Sequence, residues 1–402
     1  MEPLEILIAL STPDGKADPY PLYNALHEVS EVIEIGDNDV FVVGYDAINS
    51  VLRDPGFLVS SADTFDAALP EWRQNPVFVQ ASDWILNLNA PDHARIRSLI
   101  TRAFTARRIG GLKPAIARMA DGLLDDIADR GADGSTVEFM RDFAYLLPIT
   151  VICELIGIPE SDREAFRPVA RDLVAVFEHT TDEDLPKINS AAVELLAYFS
   201  ALATVKRANP SDDLLSDLLA IAESGDGRLT DAELLHNLTL LLVAGFETTA
   251  NLLGNGLQVV LGDPPVGAAV ADGSVPAQAF VEEVLRFDSP VQLTSRIGYD
   301  TKLHQAKITE NSSVVTLLGA GNRDPRRFTE PGKFDPLRTD GGPLSFGGGA
   351  HFCIGAALAR LEATVAFPRL FSRFPNLVAA GQPTRRDAMV LRGFDTLPIT
   401  IA

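Results

Sequence analysis

A chain of 402 residues with 46% hydrophobic content is long enough to bury a large core, and length alone permits two or three domains. Its formal charge of -21 argues against nucleic acid or an anionic membrane as the main partner, because the long-range field repels both. Two cysteines, Cys153 and Cys353, are too few for a disulfide framework, an iron-sulfur ligand set or a four-cysteine zinc site, so each is judged by its neighbours.

The start, Met1-Glu2-Pro3-Leu4-Glu5, has no basic segment and no long apolar run behind it, which reads as a cytoplasmic protein without a secretory leader. No stretch reads as long enough for a bilayer span, since the most apolar one, residues 240–246, stops at Glu247; no membrane anchor is expected. Residues 32–35 and 40–43 read as strands, as do 313–318 and 397–401, predicting a small sheet built from both ends of the chain. Residues 60–89 lack clear periodicity but contain Phe65, Trp72, Phe78 and Trp84, and read as a folded loop lining a binding site.

From residue 94 to 261 apolar residues recur at three- and four-residue spacing, predicting helices broken near Pro148, Pro159, Pro210 and Gly225. The first opens at Pro91 and carries His93 and Arg97 on one face, a pair that is usually just solvated. No Asp or Glu occurs between His93 and Ala120, while Arg95, Arg97, Arg102, Arg107, Arg108, Lys113 and Arg118 do, a local basic patch on an acidic chain. Cys153 sits in an apolar helical run, where cysteine behaves as a small buried hydrophobe, and is given no function. Thr230 is a good N-cap for a long helix through Leu240 towards Leu257, with Ala244-Gly245-Phe246-Glu247-Thr248-Thr249 in its middle. A glycine there costs about 1 kcal/mol relative to alanine, and a buried Glu-Thr pair costs more unless hydrogen-bonded.

Further on, Glu283 and Arg286 place opposite charges three apart on a helix; a surface pair is the default reading, but their neighbours are apolar. Residues 346–355, Phe-Gly-Gly-Gly-Ala-His-Phe-Cys-Ile-Gly, precede another helix. Glycines let the backbone approach a flat ligand, and backbone N-H groups with a helix dipole hold a cysteine as thiolate, which suits a metal ligand. A phosphate loop would close on Gly-Lys-Ser/Thr and a zinc site would need more Cys or His; a structural cysteine beside a glycine turn is the plainer alternative.

This segment resembles, at every fixed position, the Phe-Gly-x-Gly-x-His/Arg-x-Cys-x-Gly signature of the cytochrome P450 family, as Phe346, Gly347, Gly349, His351, Cys353 and Gly355. The resemblance implies that Cys353 is the axial ligand of a haem b iron, pushing electron density onto it, and that His351 meets a haem propionate. Ala244, Gly245, Glu247 and Thr248 resemble the distal-helix motif, which implies Ala244 and Gly245 beside the haem and Glu247 and Thr248 as the catalytic pair relaying protons. Glu283 and Arg286 match the Glu-x-x-Arg helix, with Arg338 joining them in a structural brace; His93, Arg97 and Arg296 match further propionate partners. Asn322-Arg323-Asp324-Pro325 with Phe328 also matches, so the resemblance runs from about Ala90 to the C-terminus. Where the family usually has an Ile-Pro-x-Gly turn, this chain has Ile308-Thr309-Glu310-Asn311, and Asn311 is expected to supply the positive φ.

The resemblance implies a mainly α fold with a small β region, a helical prism of residues 1–402 as one domain, with haem between the long distal helix and the cysteine loop. The implied reaction inserts one oxygen atom of dioxygen into a lipophilic small molecule, by hydroxylation or epoxidation. Two electrons come from a ferredoxin and its ferredoxin reductase, docking near Arg102, Arg107 and Arg108. A substrate bound to a carrier protein would undergo the same chemistry. Family topology places Phe78, Ile85, Leu173, Phe177, Leu240, Val243, Val291, Thr294 and Phe394 around the substrate. The alternatives are a haem-based gas or ligand sensor, which has no need of Glu247 and Thr248, a peroxide-driven haem enzyme, which usually lacks that pair, and a colourless haem-free binding protein.

Overall fold

The computed structural model describes residues 2–36, 38–69, 71–178, 181–224 and 229–401, which form two compact units. The first comprises residues 1–58, 117–146 and 248–402; the second comprises 59–116 and 147–247.

The sheets lie in the first unit. Strand Val32–Ile35 pairs antiparallel with Asp39–Val42, which runs parallel to Ser313–Thr316, itself antiparallel to Thr294–Ile297. The register sets Val40 opposite Val314 and Val42 opposite Thr316. Alternation along these strands puts Val40, Val42 and Val314 into a core with Ile48, Leu52, Ile308 and Leu318. The strands expected near residues 32–43 and 313–318 share this sheet, whereas the one expected at 397–401 lies in a separate sheet, and the strand from Ser313 stops at Thr316 because Leu318–Gly321 turns into a helical segment. The last strand, Pro398–Thr400, pairs with Val137–Glu138 and Val378–Ala379. The turn into Ser313–Thr316 carries Asn311 at φ 65°, so asparagine does take the left-handed position.

The second unit is helical. Expected breaks at Pro159 and Pro210 fall between helices Leu146–Ile156 and Arg163–Val174, and between Leu185–Ala208 and Leu214–Glu223; the break near Gly225 lies outside the described residues. Pro148 breaks nothing: it lies in the first turn of Leu146–Ile156, where a missing N-H has no intrahelical partner to lose. Residues 60–89 are not the single irregular loop expected. They hold helices Ala62–Ala68 and Pro76–Ser82, with one-turn segments at Trp72–Gln74 and Ile85–Asn87. These helices are too short for a 3.6-residue period to show, and their signals are local, a Ser61/Thr64 capping box and Pro76 in the first turn.

The expectation that no stretch matches a bilayer span also needs correcting. Helix Leu185–Ala208 is 24 residues long and contains an 18-residue window with a mean hydropathy of 1.4, long and apolar enough to cross one by length and composition. Its buried residues Ile188, Ala191, Leu195, Phe199 and Leu202 form one stripe, the pattern of a helix packed along one face against protein.

Candidate functional site

In the first unit, Cys353 stands at the end of a loop that requires glycine at Gly349. Gly347 and Gly349 have φ of 70° and 62°, and a Cβ at Gly349 would lie 2.3 Å from the carbonyl oxygen of Leu52. The Cys353 N-H donates to the Phe346 carbonyl at 2.9 Å and that of Phe352 to Gly349 at 3.2 Å, closing the loop. Helix Ala356–Arg373 follows directly. The thiol is exposed, whereas Cys153 is fully buried in helix Leu146–Ile156, the setting cysteine ordinarily takes. Phe346 is fixed under the guanidinium of Arg360, 4.3 Å from its ring centre, and Arg360 in turn pairs with Glu282. His351 is half-buried in the same loop, and a Cβ on Gly355 would lie 3.8 Å from the sulfur.

Helix Ala277–Phe287 carries a buried charge network. Glu283 and Arg286 are 2% and 1% exposed, joined at 2.7 and 2.8 Å. Arg286 spends its remaining donors on the carbonyls of Asn322, Pro331 and Lys333. Arg338 adds its Nε to both Glu283 oxygens at 3.0 and 2.9 Å, and its pKa is raised because Glu283 and Asp340 outweigh burial.

On strand Thr294–Ile297 the situation reverses. Arg296 is 6% exposed and donates only to Thr294 Oγ1 at 3.2 Å and the Ser295 carbonyl at 2.8 Å; among the described residues no carboxylate meets it. Burial lowers its pKa to about 10. Beside it, Gln292 N-H donates to Val390 at 2.8 Å and Val291 bridges Leu391, which brings segments 291–294 and 390–394 together. Val291 and Thr294 are half-buried. Phe394 is core, 1% exposed beneath the guanidinium of Arg385 and against the long helix at Gly254.

In the second unit, helix Asp92–Ala103 holds His93, 4% exposed, one turn before half-buried Arg97; burial and then Arg97 push the imidazole below its ordinary range. The basic stretch is less uniform than its composition implies. Arg95 is taken by Glu233 and Asp92, and Arg108 by Asp217 and Asp212, whereas Arg102, Arg107, Lys113 and Arg118 are exposed. The long helix spans Asp231–Gly262 behind a Thr230/Glu233 capping box, as its N-cap residue foretells. Along it, Leu240 and Val243 are buried, Ala244 and Gly245 half-buried, Glu247 fully buried and Thr248 half-buried. Leu173 and Ile85 are buried, while Phe78 and Phe177 are half-buried; Phe177 touches Trp84 with ring centres 5.8 Å apart, and Phe78 packs on Phe65.

Sequence reasoning missed one buried charge cluster. Asp288 receives Arg385 at 2.8 Å, Arg392 at 2.6 Å and Tyr20 O-H at 2.6 Å. Burial opposes its ionisation, but the two arginines hold the carboxyl well below the usual range. No spacing rule could have found it, because the arginines lie 97 and 104 residues away.

Haem b needs a thiolate on an approachable loop and cations for its carboxylates. Cys353 on its glycine turn meets the first need, and Arg296, a buried cation facing no carboxylate among the described residues, meets the second. The residues present fit haem b held through a thiolate. A family model described as Cytochrome P450 matches residues 33–272 and 277–394. Cytochrome P450 107B1 of Saccharopolyspora erythraea is 39% identical over 368 residues, 89% of this chain and 88% of that one. Cytochrome P450 monooxygenase PikC of Streptomyces venezuelae is 37% identical over 400 residues, 96% of this chain and 92% of that one. The crystal structure of P450BioI in complex with hexadec-9Z-enoic acid ligated acyl carrier protein matches with a TM-score of 0.89 and 32% identity, covering 97% of this chain and 100% of that one. The chain belongs to the cytochrome P450 family. It is a haem-thiolate monooxygenase with haem b as its cofactor.

Proposed function

We propose that this enzyme hydroxylates or epoxidises a lipophilic small molecule in the cytoplasm, taking two electrons from a ferredoxin served by ferredoxin reductase, and that residues 1–402 work as one catalytic domain. The observation that carries the reading is the exposed Cys353 thiol on its glycine loop, taken with a long helix in which Glu247 is fully buried and Thr248 half-buried. Haem b, when bound, supplies activation of dioxygen and transfer of one of its oxygen atoms to carbon. Cys353 Sγ anchors the cofactor and donates electron density to it. Arg296 and Arg97 supply the kind of positive donor that propionates bind, and His351 and His93 supply ring N-H donors. Thr248 Oγ1 holds water and passes a proton that the Glu247 carboxyl replenishes.

A lipophilic substrate is supported by the apolar side chains at Phe78, Ile85, Phe177, Val243 and Val291, with Thr294 the polar exception. The exposed Arg102, Arg107 and Lys113 suit an acidic ferredoxin; Arg108 is already neutralised by Asp212 and Asp217 and is the weakest member of that surface. A second reading, an acyl chain presented on a carrier protein, is favoured by the likeness to the P450BioI complex with its acyl carrier protein and leaves the chemistry unchanged. The test is Thr248→Ala. Haem content and ligand binding should persist while electrons are diverted from product to hydrogen peroxide, measured as peroxide released per NADPH consumed; unchanged coupling would remove Thr248 from proton delivery.

A further inference from the structure

Asparagine is a poor choice for the middle of an apolar helical run, and Asn237 sits in the second turn of the long helix, 3% exposed and followed by leucines at 238, 240, 241 and 242. Its amide is fully engaged. Nδ2 donates to the carbonyls of Asp83 and Glu233, both at 2.8 Å, and Oδ1 accepts the N-H of Ile85 at 2.8 Å. Beside it, His236 Nδ1 meets the Asp83 carboxylate at 2.7 Å. The backbone of residues 83–85 is thus held on the long helix by side chains, where a leucine at 237 would leave the Ile85 N-H and the Asp83 carbonyl short of partners. Glu233, one turn earlier, is also held by Arg95 Nη2 at 2.6 Å, and Arg95 lies between His93 and Arg97. One turn of the long helix therefore ties down both the segment carrying Ile85 and the helix carrying His93 and Arg97.

We propose that Asn237 is a positioning residue for substrate selection: it fixes the wall formed by residues 83–87 relative to helix Asp92–Ala103. This rests on the reading that Ile85 lines the substrate pocket. Residues upstream are held separately, through Asn189 Oδ1 to the Val77 N-H at 3.1 Å and Gln80 Nε2 to the Ala192 carbonyl at 2.8 Å. Loss of Asn237 therefore loosens the wall near Ile85 and leaves helix Pro76–Ser82 in place.

The test uses the holoenzyme and two probes that ligate haem iron through nitrogen, imidazole and the bulkier 4-phenylimidazole, titrated by the Soret shift. In Asn237→Leu the ratio of imidazole Kd to 4-phenylimidazole Kd should fall about fivefold, the scale of one buried hydrogen bond, with haem content retained. Hydrogen exchange at the Ile85 amide should accelerate on the order of tenfold. An unchanged ratio, or equal weakening of both probes, overturns the proposal. Ile85→Ala is run alongside: if it shifts the ratio and Asn237→Leu does not, the positioning role fails and the pocket reading stands; if neither does, the pocket reading fails first. Should Asn237→Leu lose its haem, His236→Ala, which removes only the bond to the Asp83 side chain, must move the ratio in the same direction, and no movement counts against the proposal.

Discussion

Arg286 and Arg296 lie ten residues apart in sequence, both nearly fully buried, and they resolve the cost of a buried charge in opposite ways. Arg286 closes all five of its donors on Glu283 and three carbonyls, and Glu283 is shared with Arg338 and the Asp335 N-H. Arg296 has two neutral acceptors and a pKa lowered to about 10 by burial. A closed network of charges fixes a shape, whereas a buried cation left with dipoles alone is a receptor for an anion that arrives later. The first belongs to the fold of the apoprotein, and the second fits the proposed role of Arg296 towards haem.

The largest effect should follow from opening the closed network. Glu283→Ala leaves the buried Arg286 guanidinium without its carboxylate, while Arg338 keeps Asp340, and should cost about 3–5 kcal/mol, measured by urea unfolding of the apoprotein; a loss below about 1 kcal/mol would mean that the network is no more than a surface-type pair. Arg296→Met should do the reverse. The apoprotein should unfold at the same urea concentration or a higher one, while haem transfer to apomyoglobin should quicken about tenfold, the value of one charge-assisted hydrogen bond. Destabilised apoprotein with unaltered haem loss would erase the distinction between the two arginines.

The turn and helix start of the cysteine loop were legible in the sequence because their constraints are local, lying within ten residues, whereas the ligand role of Cys353 came from resemblance. The brace was legible in part, Glu283 and Arg286 from helical spacing and Arg338 only from resemblance. Residues 60–89 were misread because helices of seven residues carry caps and prolines rather than a period. The amide of Asn237 reaches partners 152 and 154 residues away, and sequence gives no notice of such contacts beyond an asparagine in an apolar run. Pro148 marks a further limit, since a proline in a first turn resembles a breaker.

The measurement that bears most directly on the haem-thiolate assignment is the absorbance spectrum of the dithionite-reduced holoenzyme under carbon monoxide, before and after Cys353→Ser. A Soret band shifted far to the red in the wild type and lost in the variant is the expected result; a band at the same position in both proteins would mean that Cys353 is not the iron ligand.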